Sequence, residues 1–174
     1  MNIRPAKIED VDPIAGVLVA AWQNGYAGIV NADYPATMSR EKYSKIFTGI
    51  IEESLQTVYV FQRNNSVSGF VSGRMKEGKY DCQIVGLYVS PEEQGNSIGS
   101  ILLDKMIKHF KSNDCKKMIV WTLLGAKNNS FYRKHLGAEK EYKEITIGSE
   151  TYPGVGFVFD LHLLGCESLG CAVY

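Results

Sequence analysis

The sequence predicts a mixed α/β fold, a twisted sheet of about seven strands flanked by helices on both faces, and three observations predict it. Strand-like and helix-like stretches follow one another as strand, two helices, three strands, helix, strand, helix, two strands. The run Cys82 to Val89 is almost continuously apolar after Gln83, as a central strand would be, and leads directly into a glycine-bearing loop and then a helical pattern. The chain has 174 residues, 45% of them hydrophobic, enough for one core and short for two, so residues 1–174 are expected to form one domain.

Asn2 to Arg4 suits a short first strand, and Glu9, Asp10 and Asp12-Pro13 supply the acidic first turn of a helix with Val11, Ile14, Leu18, Ala21 and Trp22 on its apolar face. Asn24 to Pro35, rich in Gly, Asn and aromatic residues, reads as a loop. Ser39 then precedes a second amphipathic stretch bearing Tyr43, Ile46, Phe47, Ile50 and Ile51. Thr57 to Arg63 and Val67 to Met75 are β-rich, and Asn64-Asn65 between them tolerates the left-handed backbone of a tight hairpin. After the turn at Gly78 and the central strand, Ile98, Ile101, Leu102, Met106, Ile107 and Phe110 recur at helical spacing until Ser112 to Asp114. Met118 to Thr122 is a further buried strand, Asn128 to His135 a short helix between Gly125 and Gly137, and Glu139 to Ile147 and Tyr152 to Leu161 the last two strands. Gly165 to Tyr174 reads as a tail.

Lys plus Arg and Asp plus Glu both count 19, so the chain lacks the basic excess that would neutralise a phosphate backbone, and no nucleic-acid partner is expected. No apolar run approaches the ~18 residues that span a bilayer, and Met1 to Pro5 lacks the order of a signal peptide. A cytoplasmic protein with no membrane partner is therefore expected. Cys82, Cys115, Cys166 and Cys171 are scattered, without the second ligand pair a zinc site needs, and read as reduced thiols; no metal is expected. His109, His135 and His162 have no partner at metal or triad spacing and read as surface or capping residues.

The informative stretch is Leu87-Tyr88-Val89-Ser90-Pro91-Glu92-Glu93-Gln94-Gly95-Asn96-Ser97-Ile98-Gly99-Ser100. Small residues let a ligand approach the backbone, and free N–H groups at a helix start suit a pyrophosphate. Two nucleotide alternatives fit poorly: no Lys-Ser or Lys-Thr follows the glycines as a P-loop requires, and the three-glycine dinucleotide fingerprint is missing.

Gln94 to Ser100 resembles the Gln/Arg-x-x-Gly-x-Gly/Ala acetyl-CoA signature of the GNAT N-acetyltransferase superfamily, with Ser97 in the first glycine's place and Gly99 in the second's. The resemblance extends from Ile3-Arg4-Pro5-Ala6 through Trp22 and Tyr26 to Phe131-Tyr132 and Leu136-Gly137-Ala138. It implies acetyl-CoA as cosubstrate, held by Gln94, Gly95, Asn96, Ser97, Ile98, Gly99 and Ser100, with Ser97 able to contribute provided that its position does not require a positive φ. It also implies that the strand end Leu87, Tyr88, Val89 borders the pantetheine arm, Leu87 and Val89 through their backbones. A backbone N–H there would meet the developing oxyanion while an amine attacks the thioester directly. Tyr132 stands where relatives place the acid that protonates the departing thiolate. Asn128 matches a cofactor-contacting Asn at a shortened interval, with Asn129 as the other candidate. Trp22, Tyr26 and Tyr34 lie where relatives form the acceptor pocket.

The central strand offers only Gln83 where relatives carry a Glu base, and Asp81, Glu92 and Glu93 read as surface carboxylates. These departures leave open an acyl-CoA-binding sensor without turnover; a dinucleotide-binding enzyme is the other alternative. An exposed edge near the last strands would allow a homodimer.

Overall fold

The computed structural model describes residues 2–26, 28–31, 33–75 and 78–162. Its strands are β1 (Asn2–Pro5), β2 (Thr57–Arg63), β3 (Ser66–Met75), β4 (Cys82–Val89), β5 (Lys117–Leu123), β6 (Glu141–Ile147) and β7 (Glu150–Asp160). Its helices are α1 (Val11–Gly25), α2 (Asp33–Thr37), α3 (Arg40–Glu52), α4 (Ile98–Lys111) and α5 (Asn129–Leu136), with single 3-10 turns at Ile8–Asp10 and Pro91–Glu93. The seven strands form one sheet in the order β1-β2-β3-β4-β5-β7-β6, so β4 is central as its apolar run requires. Every adjacent pair is antiparallel except β4 and β5, whose parallel pairing needs a crossover that α4 supplies.

Local chemistry accounts for the elements. Asn64 and Asn65 take φ of 49° and 61°, the left-handed pair a two-residue hairpin requires. Ser39 caps α3 by accepting the Lys42 N–H. Differences from the expected elements have local causes. Asn24 to Pro35 is not all loop: α1 runs to Gly25, and the Asn31 side chain accepts the Asp33 N–H to start the five-residue α2. β6 starts two residues late because Glu139 turns to Arg133 of α5, at 2.5 Å. β7 starts two residues early because Gly148, at φ 63°, makes a tight turn that pairs Ile147 with Glu150.

One core cluster packs Leu102, Met106 and Phe110 of α4 against Val71, Ile84, Met118 and Phe157 of the sheet. Gly69 and Gly73 of β3 bring α4 this close: a Cβ on Gly73 would lie 2.6 Å from the Phe110 ring, and one on Gly69 would lie 3.1 Å from Leu102. Ile101, expected on the buried face, is 44% exposed, and Leu103 packs instead. A second cluster seats Ile14 and Leu18 of α1 and Phe47 of α3 on Val58, Val60 and Phe70. Ile46 of α3 points outward, contrary to its expected place. A third, smaller cluster ties Val30 after α1 to Leu123, Ala126 and the β6–β7 hairpin.

A feature of the sheet matters most for function. β4 pairs with β5 only over Cys82–Ile84 with Met118–Val120, whereas β5 stays paired to β7 along all seven of its residues. From Val85 onward β4 is held by β3 alone, and a gap opens beside it. Just after β4, the Ser90 N–H bonds to the Ser68 carbonyl of β3, and amides alternate sides along a strand, so those of Leu87 and Val89 face the gap. The tail from Gly165, with Cys166 and Cys171, lies outside the described residues.

Candidate active site

The gap opens into a cavity of about 560 Å³ bounded by the end of α1, the end of β4, the start of α4 and one face of α5. Pro91 starts a single turn after β4, and Glu93 at its end is fastened to Arg63 of β2 at 2.8 Å. The Gln94 side-chain amide donates to the Val89 carbonyl at 3.3 Å, and the Asn96 amide donates to Glu93 at 3.2 Å. Gln94, Gly95, Ser97, Ile98, Gly99 and Ser100 line the cavity; Asn96 does not, and its contact shapes the loop.

Gly95 and Ser97 both have positive φ, 84° and 60°, so the loop reverses twice before α4 begins. The condition attached to Ser97 is therefore not met. Its backbone is left-handed, which costs a non-glycine residue roughly 1 kcal/mol. The first backbone bond of α4 is made by Ile101 to Ser97, and the Ser97 side chain does not cap the helix. The N–H groups of Ile98, Gly99 and Ser100 are thus the unpaired donors of a helix start, with the helix's partial positive charge behind them and no acidic residue in the first turn. A Cβ on Gly99 would meet Phe131 at 3.5 Å and Leu87 at 3.7 Å, ordinary contact distances, so its missing side chain enlarges the cavity without being needed for packing.

Three tyrosines meet at the gap. Tyr132 of α5 is 4% exposed, and burial, then the neighbouring Tyr26, pushes its phenol well above the ordinary tyrosine range. Tyr26, just after α1, is also raised by burial, against the opposing influence of Asn128 and Thr122. Tyr88 of β4 is raised most by burial, and its hydroxyl accepts the Trp22 indole N–H at 3.1 Å. These phenols are neutral, hydrogen-bond-donating groups throughout the physiological range.

Tyr26, Leu87, Tyr88, Asn128 and Tyr132 also line a small cavity of about 20 Å³ between the separating strands, next to Gly86 and Trp121 and large enough for about one water. Asn128 accepts the Thr122 hydroxyl at 3.1 Å within this wall. Asn129, in contrast, is buried away from it, donating to the Leu123 carbonyl at 2.9 Å. The two asparagines left open by the sequence are thereby separated.

Of the expected acceptor-pocket residues, only Tyr26 lines either cavity. Trp22 stacks on it with ring centroids 4.4 Å apart, and Tyr34 packs edge-on to Trp22 and against Gly148 of the β6–β7 turn. Both stand behind the wall and line neither cavity, with Tyr26 between Trp22 and the open space. Gln83 accepts from Arg74, while Asp81 takes the Lys116 and Lys117 N–H groups, which hold its carboxyl below the usual range and make it a strand joint. Among the described residues, Glu93 is the only carboxylate that lines the cavity.

His135, read from sequence as a surface or capping residue, lines the cavity together with Lys127 and Lys134. Its Nε2 lies 3.1 Å from the Ser100 hydroxyl and its ring 4.5 Å from that of Phe131. Burial, then Lys134, lowers its pKa. The signal was its spacing, three residues after Tyr132 and four after Phe131 on one helix face. His109 instead bonds Thr57 and Tyr59 at the far end of α4. Among the described residues no group of His, Cys, Asp or Glu could hold a metal, and Cys82 and Cys115 are buried free thiols.

Comparisons with known proteins agree with this geometry. The Acetyltransferase (GNAT) family model matches residues 19–138. The chain is 28% identical over 139 residues to the uncharacterised N-acetyltransferase YuaI of Bacillus subtilis, covering 78% of this chain and 79% of that protein. It is 27% identical over 124 residues to the spermidine N(1)-acetyltransferase of Thermoplasma acidophilum, covering 67% and 76%. The solved structure of the PaiA N-acetyltransferase from Thermoplasma acidophilum in complex with coenzyme A shares its fold, with a TM-score of 0.69 at 20% identity over 91% of this chain and 98% of that one.

Proposed function

The chain belongs to the GNAT family of acetyltransferases, and on that premise we propose how its residues divide the work of moving acetyl from acetyl-CoA to an amine. The observation that carries the reading is the coincidence of unpaired Ile98, Gly99 and Ser100 amides with a released β4 edge in one cavity. Pyrophosphate fits the amides and the helix start; the arm fits along Leu87 and Val89, whose backbones face the gap. When bound, acetyl-CoA supplies an activated acyl group, and the remaining work is positioning and proton handling.

The N–H groups of Leu87 and Val89 are the donors suited to charge developing on the acyl oxygen. Tyr132, a neutral phenol at the junction of both cavities, protonates the leaving sulfur. Asn128 orients the arm from its anchor on Thr122. Among the described residues no carboxylate lines the small cavity, which favours an amine that arrives neutral or passes its proton to solvent through water held there. The amine approaches past Tyr26, with Trp22 and Tyr34 bracing that tyrosine. The spermidine-acetylating relative makes polyamines the first acceptors to try.

Family membership disfavours both the sensor and the dinucleotide readings. The chain acts as one cytoplasmic catalytic domain in this proposal, without nucleic-acid or membrane partners; no described helix is long and apolar enough to cross a membrane. Among the described residues nothing pairs with the outer edge of β6, which supports a homodimer that light scattering would test by mass. Binding is tested by thermal unfolding. At ligand about 100-fold above Kd, acetyl-CoA and CoA should stabilise by ~2.7 kcal/mol, raising Tm by roughly 5 to 10 °C, and nicotinamide nucleotides should not. No shift with the CoA compounds would overturn the placement.

A further inference from the structure

The cavity carries positive charge that the amide cradle does not account for. Lys127 lies just before α5, and Lys134 and His135 lie in its last turn; all three line the cavity. His135 reaches the Ser100 hydroxyl at 3.1 Å, which puts this basic wall beside the cradle at the start of α4. The cavity's carboxylate, Glu93, is already matched by Arg63 at 2.8 Å, so it does not neutralise the lysines. Arg133, next to Lys134 in the same helix, is paired with Glu139 at 2.5 Å. Among the described residues the ammonium groups of Lys127 and Lys134 form no ion pair.

A helix C-terminus welcomes cations, which gives Lys134 a structural reason to be there. Lys127 has the opposite position, at the partial positive end of α5, where a cation is disfavoured. A bound anion resolves that conflict. CoA carries two separate anionic groups, the pyrophosphate and a phosphomonoester on the ribose, and the second is close to dianionic at neutral pH. Backbone amides suit the bridging pyrophosphate, whereas ammonium groups on flexible stems suit a terminal dianion as point charges.

Resting on the acetyl-CoA reading above, we propose that Lys127 and Lys134, with His135 at the boundary with the cradle, form a second phosphate subsite. It takes the ribose phosphomonoester and makes the protein select CoA over its dephosphorylated form.

The test compares acetyl-CoA with acetyl-3′-dephospho-CoA by calorimetric titration of the wild-type chain and of the Lys127→Ala/Lys134→Ala double variant. Wild type should bind acetyl-CoA roughly tenfold or more tightly than the dephospho compound, with a preference that shrinks as salt rises. The double variant should lose about tenfold in affinity for acetyl-CoA and less than about twofold for the dephospho compound, erasing the preference. Equal weakening of both ligands, or no preference in wild type, overturns the subsite and leaves the acetyl-CoA reading standing. Wild type that binds neither compound overturns both.

Discussion

Replacing Gly99 tests the cradle at the point where its geometry is most explicit. A single added Cβ would meet Phe131 at 3.5 Å and Leu87 at 3.7 Å, contacts the fold accepts, so Gly99→Ala should keep or slightly raise stability, by up to about 1 kcal/mol from reduced backbone entropy in the unfolded chain. Gly99→Leu places further carbons over the N–H groups of the first turn, inside the cavity. A hydrogen bond to a charged group contributes ~1.5–3 kcal/mol, so screening two of these donors should cost ~3–6 kcal/mol of binding, a loss of roughly 10² to 10⁴ in affinity. The assay is calorimetric titration of both variants with acetyl-CoA, with thermal unfolding as a check that α4 still packs. Undiminished affinity in a folded Gly99→Leu protein would refute the placement of the phosphates at this helix start.

Three further outcomes follow from particular contacts. Tyr132→Phe should lower kcat by roughly ten-fold to 10⁴-fold with acetyl-CoA affinity retained, since it removes a proton donor and no bulk; because burial raises the phenol, no loss of rate below about pH 10 should trace to Tyr132. Unchanged kcat would remove the acid role. Ser97→Gly should stabilise the fold by roughly 1 kcal/mol by relieving its left-handed backbone, as urea unfolding would measure. Buried Asp10 accepts two Arg4 N–H bonds, at 2.6 and 2.8 Å, and the Lys7 N–H at 2.8 Å; Arg4 is the main reason its pKa is lowered. Its contribution is fully present above the unfolded carboxylate range and lost as pH falls through the lowered folded value. Asp10→Asn should therefore cost about 2 kcal/mol at pH 7, and the gap to wild type should narrow below about pH 4. A gap that is independent of pH would contradict this account.

The parts of the fold that sequence disclosed were those with strictly local causes. The run Cys82 to Val89 was too apolar for a sheet edge and lies at the centre, and the Asn64-Asn65 pair could make its turn alone. The loop before α4 was legible for the same reason: small residues between a strand and an amphipathic helix leave amides free wherever the rest of the chain goes. Side-chain periodicity could not show the parting of β4 from β5, since it says nothing about which strand lies alongside or for how long; only the family resemblance pointed to exposed backbone at Leu87 and Val89. α2 has five residues, too few to show a period.

Around the cavities, Tyr26 and Tyr132 stand in the lining, whereas Trp22 and Tyr34 stand one layer behind it. An aromatic residue on a helix face looks the same whether it touches ligand or braces a neighbour that does. Lys127, Lys134 and His135 were missed because a short basic stretch ordinarily marks a solvated surface, and only the fold brings His135 to Ser100. The choice between Asn128 and Asn129 likewise depended on which one Thr122 and Leu123 would hold.

The most direct test of direct acetyl transfer at this cavity is the initial rate of thiol release from acetyl-CoA by the pure protein. Amine and acetyl-CoA would be varied together and the acetylated amine counted alongside. The account predicts release that requires the amine, matches product mole for mole, and gives intersecting double-reciprocal lines. Release without amine, or parallel lines with acetyl left on the protein, would contradict it.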